Sequence, residues 1–355
     1  MSWRWIGAPL AVMYGGVIAL RHLLYDEHVL PTYTPHIPTI CVGNLAVGGT
    51  GKTPMVEYLI RLLRCEGYKV CVLSRGYKRT TRGFVVSTSS ATAETIGDEA
   101  MQIHRKFPDV LTVVCEERAL AIRKLQRMHN PPDVILLDDA YQHRAIHCGL
   151  TILLTAYDRL YINDHLLPWG SLRDIPYRAS KANIIMVTKC PDTIRPIDKR
   201  VVDSKLRPAT FQHLYFSRMQ YADVPVKGVP LVVTGIAQPE YMIAHIRSIE
   251  PQTEVLTYPD HHRFTPADVN EIIRRAERCD CVLTTEKDMQ RFALTDIAER
   301  LSKPIIPLPI RMTVDQETRS FDDDILTYVR ESSRKSKVES QKSAVEHQRE
   351  PNRRK

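Results

Sequence analysis

Short apolar runs alternate with amphipathic stretches along the first two thirds of this chain. The runs fall at 38–42, 68–73, 111–115, 134–137, 150–155 and 183–188. Runs of that length, rich in Val, Ile and Leu with little polar alternation, predict strands buried on both faces. The stretches between them predict helices. The clearest places Val56, Leu59, Ile60 and Leu63 on one face and stops at Gly67, as a sheet-covering helix should. Together they predict an α/β fold with a mostly parallel sheet and helices on both faces. After Pro208 the rhythm changes, and runs at 229–234, 254–258, 281–284 and 304–308 predict a second, smaller C-terminal α/β domain. The expected division is 23–207 and 208–330, with linkers near 195–209 and 311–324.

Both ends depart from this pattern. From Trp5 to Leu20 sixteen residues pass without a charge, between Arg4 and Arg21. As a helix this run reaches about 24 Å against a hydrocarbon core of about 30 Å. Pro9, Gly7, Gly15 and Gly16 weaken it, while Trp3 and Trp5 suit a membrane interface. A membrane-associated helix over 1–22 that lies on the surface is the leading expectation; a packed core helix, a signal peptide and a true span are the alternatives. At the other end, 331–355 holds eight Lys/Arg against four Asp/Glu, half of the formal +8 of the whole chain. Poor in apolar residues, it is expected to be a disordered basic tail. The excess charge therefore points to no nucleic acid. The eight cysteines have neither C-x-x-C pairing nor metal-ligand spacing, so they are expected to be free thiols.

The chemistry begins at the end of the first run. Val47-Gly48-Gly49-Thr50-Gly51-Lys52-Thr53-Pro54 follows a strand and opens a helix, the setting a phosphate-binding loop requires. Glycines let backbone N–H groups face phosphate oxygens, Lys52 can reach the β and γ phosphates, and the Thr53 hydroxyl can bind Mg²⁺. Ala46 stands where the strict motif has a further glycine. The second half of a Mg-nucleotide site is a buried strand ending in an acid, and Val134-Ile135-Leu136-Leu137-Asp138-Asp139 supplies it. Either carboxylate can hold the cation. The fold is thus expected to be P-loop NTPase-like. Guanine is disfavoured, because Thr188-Lys189-Cys190-Pro191-Asp192 carries its acid one position late.

Several further segments match one family at once: Ser74-Arg75-Gly76-Tyr77, Gly97-Asp98-Glu99, Asp138-Asp139-Ala140-Tyr141-Gln142-His143-Arg144, Leu167 to Arg173, Gly235 to Pro239, Asp260-His261-His262 and Thr284 to Asp288. With the loop from Val42 to Pro54 they resemble the tetraacyldisaccharide 4'-kinases, in the family's order over residues 42–288. The resemblance implies ATP as donor and an acylated glucosamine disaccharide 1-phosphate lipid as acceptor. It also implies a position on the cytoplasmic face of the bacterial inner membrane, and it implies no protein partner. It makes Asp98 the base for the acceptor hydroxyl. Asp260 and His261 would approach that base from the second domain, His262 being able to exchange roles with His261. Arg75 and Arg173 become candidate phosphate clamps, and Asn44, Gln142 and His143 candidate acceptor contacts. Where the family reads Pro-Ala-Gly-Pro-Leu-Arg-Glu, this chain reads Pro-Trp-Gly-Ser-Leu-Arg-Asp at 168–174. Such departures bear on acceptor detail more than on phosphate chemistry.

Overall fold

The computed structural model describes residues 4–222, 228–315 and 320–349. Thirteen strands are present among them: β1 (Thr39–Asn44), β2 (Val70–Ser74), β3 (Val85–Val86), β4 (Leu111–Val114), β5 (Val134–Asp138), β6 (Leu150–Ala156), β7 (Ile184–Thr188), β8 (His213–Tyr221), β9 (Pro230–Thr234), β10 (Glu254–Thr257), β11 (Cys281–Thr285), β12 (Ile305–Leu308) and β13 (Ile310–Val314). The helices are α1 (Arg4–Asp26), α2 (Lys52–Cys65), α3 (Ala93–Ile96), α4 (Asp98–Lys106), α5 (Arg118–Gln126), α6 (Pro196–Leu206), α7 (Glu240–Ile249), α8 (Pro266–Ala276), α9 (Glu286–Phe292), α10 (Ile297–Arg300) and α11 (Phe321–Arg349).

Nine strands form one sheet in the order β13-β8-β7-β6-β1-β5-β2-β4-β3. Only the two edge strands run antiparallel to their neighbours. Alternate residues of the central strands feed two cores. Ile40, Val42, Val72, Leu136 and Ile152 pack against α2, α4 and α11, while Cys41, Cys71, Leu73, Leu137 and Leu153 pack against α5 and α6. Continuous apolar runs are therefore what a doubly covered parallel sheet demands. The chain crosses from one side of β1 to the other, since β5 and β6 flank it. Ligands of such sheets bind at the carboxyl ends of the strands beside that crossover.

The division of the chain differs from the expected one at 208 and 330. Strands β8 and β13 both belong to the large sheet. Helix α11 returns to it as well, burying Phe321, Ile325 and Val329 in the core beneath α2. The smaller unit is thus an insert between β8 and β13, with its own parallel sheet β10-β9-β11-β12. Of the expected linkers, 195–209 contains α6 and 311–324 contains β13 and the start of α11. The segment expected to be disordered from 331 instead continues α11 to Arg349, in keeping with its Glu, Lys, Gln and Arg, which all favour helix. Residues 350–355 lie outside the described residues, as does Trp3.

Helix α1 extends past the expected end at 22 to Asp26. One side of it docks on the segment 164–174. A Cβ on Gly7 would lie 3.4 Å from the Trp169 backbone, so this glycine permits contact rather than merely weakening the helix. Tyr14 donates to the Arg173 carbonyl at 3.0 Å, and His22 Nε2 and Asp174 Oδ1 are buried 2.6 Å apart. The opposite side leaves Leu10, Met13, Val17 and Leu20 exposed, at spacings that align them on one helical face. The stretch Gly7–Asp26 is long and apolar enough to cross a membrane.

Candidate active site

The loop after β1 ends in Gly51, whose φ of 87° caps α2 in the left-handed region. Lys52 opens α2, with Thr53 and Pro54 in its first turn. Thr50 is buried, its hydroxyl accepting from Asn44 Nδ2 at 2.7 Å and its carbonyl from Thr188 Oγ1 at 2.9 Å. Val47 is exposed but its N–H is fixed to the Ser171 carbonyl at 2.8 Å. From the insert, Gln238 reaches over the loop, and its side chain accepts a hydrogen bond from Lys189. A Cβ on Gly49 would lie 3.9 Å from both Gln238 Oε1 and Lys189 Nζ, and one on Gly48 3.9 Å from Ala237 Cβ. The Gly235 to Pro239 segment therefore covers the phosphate loop.

Strand β5 delivers Asp138 and Asp139 beside that loop. Asp139 takes a two-pronged contact from Arg173, whose Nη2 also donates to Asn44 Oδ1 at 2.6 Å. Lys52 Nζ stands 3.5 Å from Asp139 Oδ1 and 3.3 Å from Asn44 Oδ1. Burial raises the Asp139 carboxyl, but the Lys52 and Arg173 charges outweigh it and hold the group well below the usual carboxylate range. Asp138 has the opposite fate. Burial, with the Asp139 charge beside it, pushes it up to about 7, and its Oδ1 has no hydrogen-bond partner among the described residues. A buried, unpaired carboxylate oxygen at the mouth of a phosphate loop fits a hard divalent cation. Among the described residues no three His, Cys, Asp or Glu side chains converge as a metal cage, so a cation here would share its coordination with phosphate oxygens.

Asp98 opens α4, and the charge of the next residue, Glu99, acts on Asp138. Gly97 precedes Asp98 at φ 89°, and a Cβ there would lie 3.2 Å from Gly76 Cα. Only glycine lets the 74–77 loop and the start of α4 meet so closely, which accounts for two of the matched motifs together. The insert approaches from the other side. His261 Nδ1 lies 3.2 Å and Arg291 Nε 2.8 Å from the same oxygen, Asp98 Oδ2. Lys287 donates to His261 Nε2 at 3.1 Å, which puts the ring proton on Nδ1 toward Asp98. Burial raises the Asp98 carboxyl, and the His261 hydrogen bond and Arg291 charge overcome it, for a net lowering to about 2. Arg291 is itself fixed by Asp288 Oδ1 at 2.6 Å and the Gly235 carbonyl at 3.0 Å. Asp288 is fully buried and also takes the Gly235 N–H at 3.0 Å, so the 235–239 and 284–288 motifs join in one network.

A family model for tetraacyldisaccharide-1-P 4'-kinase matches residues 3–330. The tetraacyldisaccharide 4'-kinase of Bacteroides thetaiotaomicron is 40% identical over 370 residues, covering 96% of this chain and 97% of the relative. That of Flavobacterium johnsoniae is 40% identical over 337 residues, with 91% and 96% covered. This chain belongs to the tetraacyldisaccharide 4'-kinase family. The fold agrees with the crystal structure of the "apo" form of LpxK from Aquifex aeolicus in complex with ATP, at a TM-score of 0.69 and 24% identity, with 93% of this chain and 99% of that one covered.

In this family member five of the residues singled out in the sequence form one contact network. Asn44, Lys52, Asp139, Gln142 and Arg173 touch directly or through one another, Gln142 Nε2 donating to the Asn44 carbonyl at 2.8 Å. His143 is half-buried, and burial with the Arg118, Arg21 and Arg75 charges brings it down to about 4. It is a neutral ring beside three guanidinium groups. Arg75 is exposed at the edge of that cluster. His261 rather than His262 meets Asp98, since His262 Nε2 pairs with Asp268 at 2.9 Å and stacks on Tyr258. Asp260 stands farther out, 3.9 Å from His261 Nε2 and 3.5 Å from Lys287. Sequence reasoning missed Arg118, which donates to the Asp139 carbonyl at 3.3 Å, and Arg291. The available signal for Arg291 was its place three residues after Asp288, on one helical face.

Proposed function

We propose that this protein transfers the γ-phosphoryl of ATP to the 4'-hydroxyl of an acylated glucosamine disaccharide 1-phosphate, yielding ADP and the 4'-phosphorylated lipid A precursor. The observation that carries the reading is the pairing of Lys52 with Asp139 at the end of β5, linked through the Glu99 charge that acts on Asp138 to an Asp98 held by His261 and Arg291 of the insert. The His261 ring N–H and the Arg291 guanidinium both contact Oδ2 of Asp98, which leaves Oδ1 for the acceptor hydroxyl. As the hydroxyl oxygen bonds to the γ-phosphorus, the bond to the β–γ bridging oxygen breaks and ADP leaves. The hydroxyl proton passes to Asp98 Oδ1. A carboxylate held near pKa 2 is a weak base, but in a loose phosphoryl transition state the proton leaves late, so orientation matters more than basicity. Lys52 and the loop N–H groups take the β and γ phosphates. Mg²⁺, when bound by Asp138 or Asp139 and the Thr53 hydroxyl, would neutralise charge on the transferring group.

The exposed apolar side of α1 suits shallow insertion into a bilayer. Its docked side contacts Arg173, Gln142 and Asp174. The docked helix supports a position of the site at a membrane surface, and the need for ATP supports the cytoplasmic face of the inner membrane. Purified protein incubated with γ-labelled ATP, Mg²⁺ and a detergent-dispersed acylated glucosamine disaccharide 1-phosphate should yield labelled lipid. Label released only as inorganic phosphate would overturn the reading.

A further inference from the structure

Helices α4 and α9 face each other across the seam between core and insert, with ion pairs at both ends. Asp98, the first residue of α4, meets Arg291 near the end of α9. Lys106, the last residue of α4, meets Glu286, the first of α9, at 2.7 Å. The helices therefore run antiparallel. Lys106 has a second partner, because its ammonium also lies 2.8 Å from Glu57 of α2. The Glu57 side chain is 1% exposed and accepts further from Gln102 at 3.0 Å and Arg61 at 2.8 Å. It stands four positions after Thr53, one turn along the same face of the phosphate-loop helix. One ammonium thus joins the helix that holds phosphate, the helix that carries Asp98 and the helix that carries Arg291.

A carboxylate this deeply buried is costly unless cations and donors compensate. Burial raises the Glu57 carboxyl, and the Lys106 charge is the leading influence against it. Its neighbours on α2, Val56, Leu59 and Ile60, are apolar and fully buried, so packing alone would have served to attach α2. An ionic bridge does something apolar packing does not, since it is directional and fixes the approach of α9 to both other helices. We propose that Lys106 is a positioning residue for phosphoryl transfer: by bridging Glu57 and Glu286 it sets the docking of α9 on α2 and α4, and so keeps Arg291 on the Asp98 carboxylate. This rests on the kinase reading above, and it adds a residue remote from the reacting atoms.

The test uses full-length protein carrying Lys106→Met, Lys106→Arg, Glu286→Gln or Lys106→Met with Glu286→Gln. Lys106→Met should lower kcat for lipid phosphorylation about tenfold to a hundredfold, the scale of a small misplacement in a positioned site. KM for ATP should stay within about twofold, since Lys106 does not touch the phosphate loop. Lys106→Arg should restore most of kcat. Glu286→Gln, which leaves the Glu57–Lys106 pair in place, should lower kcat by itself and add little to Lys106→Met. Hydrogen exchange of the α9 segment 286–292, read with Mg-ATP present, should rise in Lys106→Met and Glu286→Gln. The inference is overturned by wild-type kcat and exchange in Glu286→Gln, or by a loss of kcat in Lys106→Met that follows thermal stability and is not restored by Lys106→Arg. A wild-type protein that labels no lipid would remove the kinase reading, and the exchange readout would still decide whether the bridge sets the docking of the insert.

Discussion

The two acids central to the proposed chemistry are pushed in opposite directions by their surroundings. Asp98 is lowered to about 2 because His261 and Arg291 outweigh its burial. It is therefore ionised throughout the physiological range, and its contribution to stability is present above its unfolded value and lost as pH falls toward 2. Replacing Asp98 with Ala should lower turnover by about two to four orders of magnitude, the usual worth of a positioned base; a turnover assay on labelled lipid checks this. Asp138 is raised to about 7 by burial and the neighbouring Asp139 charge. Its folded form binds a proton that the unfolded form has released, so it costs stability as pH rises from about 4 to 7. A cation bound at Asp138 as proposed would displace that proton, and Mg-ATP should bind about tenfold more tightly at pH 8 than at pH 6. Calorimetric titration at the two pH values measures it, and Asp138→Asn should flatten the dependence. Of these residues, Asp138 and Asp139 were legible because acids that end an apolar strand stand out, whereas Asp98 was legible only through the family resemblance. Arg118, Arg291 and Lys106 were not. A charge on an amphipathic helix reads as a solvated face, and only the fold shows that Arg118 and Arg291 are buried.

Helix α1 has two unlike sides, and they make different predictions. Val17 is exposed. Val17→Glu should shift the protein from membrane to soluble fractions while changing stability by no more than about 0.5 kcal/mol, measured by fractionation and thermal melting. Strand β1 is constrained instead by its neighbour, since a Cβ on Gly43 would lie 2.6 Å from Tyr141 Cβ. Gly43→Ala should cost about 1–3 kcal/mol by overpacking and should displace the turn that carries Asp139, so melting temperature and turnover fall together. Most strands visible in the sequence were those with both faces buried, where the apolar run is unbroken; β10 and β12 were visible although only part-buried. Strands β3, β8 and β13 lay outside that pattern. The first is two residues long, and β8 and β13 form one margin of the sheet, where exposed and buried positions mix.

At the scale of the molecule, the same margin explains why the domain division was misread. A break in apolar rhythm near 208 marks the approach to β8, not the end of the first unit, and the chain comes back through β13 and α11. Phe321, Ile325 and Val329 of α11 are fully buried against the central sheet, each worth about 1.5–3 kcal/mol. Their sum is comparable to the whole stability of a typical domain. Ending the chain after Lys335 should therefore leave the melting temperature nearly unchanged, whereas ending it at 319 should leave no cooperative transition; circular dichroism on both truncations distinguishes them. The entry and exit of the insert lie side by side, because Tyr221 of β8 pairs directly with Ile310 of β13. A tight turn of two residues such as Asn-Gly could close that pair as a hairpin. The insert is thus a cassette with a single doorway, removable or exchangeable by genetic grafting without rethreading the nine-stranded body.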